Sequence, residues 1–77
     1  MKKKVLEALS KVNSEIAYHT DSNLVQEGII DSFDIMNIVK EIESSFGIEL
    51  DPDDIIIENF NTVDAIVNLI LNKKGNP

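Results

Sequence analysis

The 77-residue chain has no cysteine, which removes disulfide staples and thiolate metal ligands together. Helix packing must then supply the stability that a staple would otherwise add. Its single histidine, His19, leaves zinc with one imidazole and no thiol, so a zinc site is discounted; His19 is expected at the surface. No apolar run approaches the roughly 18 residues of a membrane span. Lys2-Lys3-Lys4 imitates the basic start of a secretion signal, but Glu7, Ser10 and Lys11 break up the apolar stretch that a signal would need next, so the chain is expected in the cytoplasm. Basic residues are scarce, seven against fourteen acidic ones, for a net charge of −7. That argues against nucleic acid, whose phosphates need a basic surface. A Gly-rich phosphate loop, an internal repeat and a heptad pattern are all missing.

What is present fits one small domain over residues 1–77, expected to be monomeric and disordered at 1–3 and 75–77. Such a domain buries only about 60% of the surface its unfolded chain exposes. The acidity suits encounter with basic partner surfaces, or serves solubility alone.

Val5, Leu9, Val12 and Ile16 recur at helical spacing and predict a first helix over 3–17. Its lysine-rich start opposes the helix macrodipole and is expected to fray. Residues 20–31 show no sustained period and open on the turn-rich Thr20-Asp21-Ser22-Asn23. A long loop in so small a domain is functional or held down by its own side chains. Leu24 and one of Ile29 and Ile30 are expected to pin it to the core, with Gly28 allowing the turn into Asp31-Ser32.

From there a strongly periodic run leads to Phe46 and stops at Gly47. Asp31 or Ser32 can cap its first turn, and Gly47 suits the left-handed residue beyond its end. Helical geometry puts Ile35, Ile38, Val39, Ile42 and Phe46 on one arc, the core face. Phe33, Met36, Asn37, Lys40 and Ser44 fall on the other side, so Phe33 and Met36 point outward beside the serine as a candidate partner patch. Pro52, Asp53 and Asp54 suit the start of a short helix over 53–58, although Ile55-Ile56-Ile57 is a weak helix former and Asn59-Phe60-Asn61 breaks it. Thr62 caps a last helix whose stripe is Val63, Ile66, Val67, Ile70 and Leu71, ending near Lys74.

Three chemistries are conceivable on these residues. A Ser32–His19–Asp31 triad lacks an oxyanion hole and a substrate cleft in a four-helix domain this small. Asp51, Asp53, Asp54 and Glu58 lack the alternating ligands, central glycine and closing glutamate of an EF-hand loop, and read as solvated helix-start charges. A serine hydroxyl at a helix start, beside a carboxylate, is an ordinary cap or a group to be modified by another enzyme. A phosphodiester made there would lie near helix N–H groups, where anions are stabilised.

Asp31-Ser32-Phe33 before a long helix, then Phe46-Gly47-Ile48-Glu49-Leu50 and Thr62-Val63-Asp64-Ala65-Ile66, resemble the acyl carrier protein superfamily of phosphopantetheine-binding carriers. The resemblance runs from about Val5 to Leu71. It implies an all-α four-helix bundle with a long first loop, a short third helix and no catalysis of its own. It further implies that Ser32 carries 4′-phosphopantetheine, donated from coenzyme A by a phosphopantetheinyl transferase, with Asp31 at the transferase's magnesium. The arm would hold an acyl or aminoacyl group as a thioester between an activating ligase and downstream transferases, in lipid or secondary metabolite biosynthesis. Phe33, Met36, Asn37 and Lys40 would meet those partners. Phe33 replaces the leucine usual in fatty-acid carriers, two isoleucines rather than one residue separate Gly28 from Asp31, and Asn37, Lys40 and Ser44 stand where such carriers are richer in glutamate. In these respects the motif looks closer to D-alanyl carrier proteins, which serve cell-wall modification, and to specialised stand-alone carriers. The alternative outside the family is an unmodified acidic helical adaptor.

Overall fold

The computed structural model of the protein describes residues 1–75, which are helical and contain no strand. Helix α1 spans Lys2–Val12, α2 Ser32–Phe46, α3 Ile57–Phe60 and α4 Val63–Gly75; 3₁₀ turns occupy Ser14–Tyr18 and Pro52–Asp54. Packing joins α1 to both α2 and α4, and α3 to α4. No helix among these residues is long and apolar enough to cross a membrane.

The first helix is shorter than its periodicity predicts. At Asn13 the backbone turns extended, and Asn13 Oδ1 accepts the Glu15 N–H at 3.0 Å, restarting the chain as a 3₁₀ turn. Asparagine side chains compete with helix in this way. Ile16 is still fully buried, because a 3₁₀ turn also brings it back to the core face. The helix begins at Lys2, inside the stretch 1–3 expected to be disordered. Lys2 Nζ lies 3.2 Å from Asp64 Oδ1, and Lys4 Nζ lies 5.1 Å from the centre of the Phe46 ring. These contacts oppose the unfavourable dipole.

In α2, all five residues expected on the core face are buried. Gly47 closes the helix at φ +64°, in the left-handed region where glycine is free of strain. The short third helix starts four residues and ends two residues later than the expected 53–58. Residues 52–54 form only a 3₁₀ turn, and α3 includes Asn59 and Phe60, which the sequence pattern marks as a breaker. Phe60 is fully buried; burial of that large ring outweighs the weak helix propensity around it. In α4, Leu69 takes the core place expected of Leu71, which is 46% exposed. The helix also continues through Gly75 rather than stopping before it; the remaining two residues of the stretch 75–77 expected to be disordered lie outside the described residues.

Two polar ties fix the segment between α2 and α3. Glu43 Oε2 accepts the Leu50 N–H at 2.9 Å, and Leu50 is buried. Lys73 Nζ, reaching from α4, lies 2.6 Å from Asp54 Oδ2 and 3.2 Å from Asp51 Oδ2.

Candidate functional site

Asp31 is the N-cap of α2, in extended backbone, and Ser32 is the first helical residue. The side chain of Asp31 accepts the Asp34 N–H through Oδ1 at 2.9 Å, while Asp34 Oδ2 accepts the Asp31 N–H at 3.3 Å. This capping box satisfies two backbone donors reciprocally and sets the first turn. Of the two residues able to cap, Asp31 does so. Ser32 is exposed, and no hydrogen bond of its hydroxyl is formed among the described residues.

The chain before the site is held on two sides. Leu24 and Ile30 are buried, and Ile29 is half-buried; of the two isoleucines, Ile30 is the deeper pin. The N–H groups of Ile29 and Ile30 both donate to the Leu24 carbonyl, at 2.9 and 3.1 Å. Gly28 has φ +74°, the left-handed backbone required to bring the chain around to Asp31. Asn13 Nδ2 donates to the Ile29 carbonyl at 3.0 Å, and Asn61 Oδ1 accepts from Val25 and Gln26 at 3.1 and 3.3 Å.

Around the serine, Phe33 is 74% and Met36 52% exposed. They point outward, as helical spacing predicts. Asn37 and Lys40 border a groove between α1 and α2, with Lys11, Val12 and Glu41. Asn37 is half-buried there, and Lys40 is exposed. The four residues therefore do not form one uniform patch: an apolar pair stands beside Ser32, and a polar pair flanks the α1 side. Ile56 and Ile57, at the start of α3, are a further exposed apolar pair.

The other candidate groups have different surroundings. His19 is half-buried beyond the first 3₁₀ turn, and among the described residues no side-chain hydrogen bond joins it to Ser32 or Asp31. In the acidic run, Asp51 and Asp54 face Lys73. Hydrogen bonding to Lys73 holds the Asp54 carboxyl below its ordinary value, and the same contact raises Lys73. No group of three or more acidic, histidine or cysteine side chains among the described residues is placed to hold a metal ion.

Two further residues shape the site, one with a local sequence signal and one without. Asp34 stands at the capping-box spacing from Asp31, a detectable signal, though with aspartate where glutamate is usual. Asn61 lies 36 positions from Val25, and nothing local announces the contact.

A hydroxyl on an exposed helix start, with its neighbour's carboxylate making the cap, is open to covalent attachment of an anionic group. Free N–H groups of the first turn favour a phosphodiester there. Comparison with known proteins bears on this geometry. Residues 2–70 match the family described as "Phosphopantetheine attachment site". The D-alanyl carrier protein of Lactococcus lactis subsp. lactis (strain IL1403) is 30% identical over 76 residues, covering 96% of each chain. That of L. lactis subsp. cremoris (strain MG1363) is 28% identical over 75 residues, covering 95% of each.

Proposed function

The chain belongs to the phosphopantetheine-attachment family of carrier proteins, and from that premise we propose that Ser32 is where its prosthetic group is joined. The family carries a covalent 4′-phosphopantetheine and acts as a carrier rather than a catalyst. One observation carries the placement: the Ser32 hydroxyl is exposed at the first residue of α2, while the Asp31 and Asp34 side chains supply the capping box.

A phosphopantetheinyl transferase supplies the arm from coenzyme A. The Ser32 oxygen attacks the pyrophosphate; its bond to phosphorus forms as the P–O–P link breaks, and the nucleotide leaves with the other phosphate. The hydroxyl proton passes to a base of the transferase. Asp31 Oδ1 is occupied by the cap, which leaves Oδ2 to reach the transferase's magnesium. Once attached, the arm supplies the thiol that holds acyl or aminoacyl cargo. Phe33 and Met36 give the activating ligase and downstream transferases an apolar contact beside Ser32, with Asn37 and Lys40 as polar contacts at the groove. The protein works in the cytoplasm as a monomer.

A second, narrower reading concerns the cargo. The two relatives are D-alanyl carrier proteins by name, and each is matched almost end to end; D-alanine is therefore the first cargo to test. The arm-bearing protein is incubated with ATP and adenylating ligases for D-alanine, for other amino acids and for fatty acids, then examined by intact mass. Loading that vanishes with Ser32→Ala supports the attachment site. Loading by D-alanine ligase supports the narrower reading, and loading by fatty-acid ligases alone would overturn it.

A further inference from the structure

The loop that delivers Ser32 contains a turn whose ends are both closed. Within residues 23–28, the Glu27 N–H donates to the Asn23 carbonyl at 2.9 Å and the Gly28 N–H to the Val25 carbonyl at 3.1 Å. The leading amides of such a turn have no backbone acceptor inside it; the first, Asn23 N–H, donates to Glu27 Oε2 at 3.0 Å. Here Asn61 takes three of them. Its backbone carbonyl accepts from Leu24, and its Oδ1 accepts from Val25 and Gln26. Asn61 Nδ2 adds a longer contact to Asn23 Oδ1 at 3.5 Å. At the other end, the Leu24 carbonyl receives the Ile29 and Ile30 N–H groups. A chain of backbone hydrogen bonds thus runs from Asn61 through Leu24 to Ile30, the residue before Asp31.

Asn61 is also well fixed. Phe60 before it is fully buried, and Thr62 after it caps α4, its Oγ1 accepting the Ala65 N–H at 3.0 Å. The residue is a half-buried post at the joint of α3 and α4, with a short side-chain carbonyl directed at the turn. Aspartate can reproduce both acceptor contacts from the same position. Alanine reproduces neither, although the backbone carbonyl still serves Leu24.

We propose that Asn61 is a positioning residue for Ser32, capping the 24–28 turn from a distant helix joint and so holding the Gly28–Asp31 run in the pose that meets the transferase. This role rests on Ser32 being the attachment point. If the pose is populated only part of the time, the apparent affinity of the transferase for the chain falls by that fraction, while the bound complex reacts at its usual rate. Loss of Asn61 therefore raises KM and spares kcat.

The test compares wild type, Asn61→Ala and Asn61→Asp by amide hydrogen exchange and by steady-state kinetics of arm transfer from coenzyme A. In Asn61→Ala, exchange at Val25 and Gln26 is expected to rise about tenfold, with Ile42 and Ile66 unchanged. KM is expected to rise severalfold at constant kcat. Asn61→Asp is expected to restore protection at Val25 and Gln26 and bring KM back toward wild type. Uniformly faster exchange along the chain, or a wild-type KM in Asn61→Ala, overturns the proposal. If Asn61→Ala does not fold, Asn61→Ser, which keeps a single hydroxyl acceptor, is judged by the same two readouts. Absence of transfer onto the wild-type chain would overturn the attachment reading itself, whereas transfer with an unchanged KM in the variant overturns only the role of Asn61.

Discussion

Asp31 and Asp34 hold each other's backbone across the first turn of α2, at 2.9 and 3.3 Å. Ser32 stands between them, exposed. The carboxylates perform the capping that a serine at this place often does, so the hydroxyl remains on a rigid turn without being consumed by it.

Capping and charge at Asp31 separate by substitution. Asp31→Asn keeps a side-chain carbonyl for the Asp34 N–H, so its stability should stay within about 0.5 kcal/mol of wild type. On the role proposed for Asp31 at the transferase's magnesium, arm transfer should slow by about tenfold or more once the carboxylate is removed. Asp31→Ala should lose the cap as well, about 1 kcal/mol. Urea denaturation and initial rates of transfer check both halves.

Phe60 and Phe33 have opposite surroundings. Phe60 is fully buried, and Phe33 is 74% exposed. Phe60→Ala should cost about 3–5 kcal/mol, a large part of the stability of a domain this small. Phe33→Ala should change stability by less than about 0.5 kcal/mol yet weaken binding to the activating ligase. Thermal melts and ligase titrations distinguish the two.

The acid limb of stability should depend on Lys73. Asp54 has a lowered carboxyl through its hydrogen bond to Lys73, so its contribution is complete above the ordinary aspartate range and is lost as pH falls through the lowered value. Lys73 is raised by Asp54 and then Asp51, and its contribution is lost only when pH rises through that raised value. Lys73→Gln should therefore flatten the loss of stability below about pH 4, measured by denaturant titration across the acid range.

Much of α2 is legible in the sequence because each of its signals is local. The spacing of Ile35 to Phe46, the Asp31 cap and Gly47 can all be read within one turn of where they act. The end of α1 is not, because Val12 and Ile16 keep helical spacing while Asn13 leaves the helix to bond Glu15. Leu69 and Leu71 fit the last stripe about equally in sequence, and only packing chooses Leu69. Phe60 reads wrongly as a breaker because two asparagines flank it, whereas tertiary burial decides its conformation. At the site, the serine and its aspartate are readable, and so is the outward pair Phe33 and Met36. The holds from Asn13 and Asn61 are not, since they join residues 16 and 36 positions away.

The placement of the arm on Ser32 has a direct test. The unmodified protein is incubated with coenzyme A, magnesium and a broad-specificity phosphopantetheinyl transferase, and its intact mass is taken beside that of Ser32→Ala. A single phosphopantetheine adduct on the wild-type chain, absent from the variant, is the predicted result. An adduct that survives Ser32→Ala, or a wild-type chain that several such transferases leave unmodified, would contradict it.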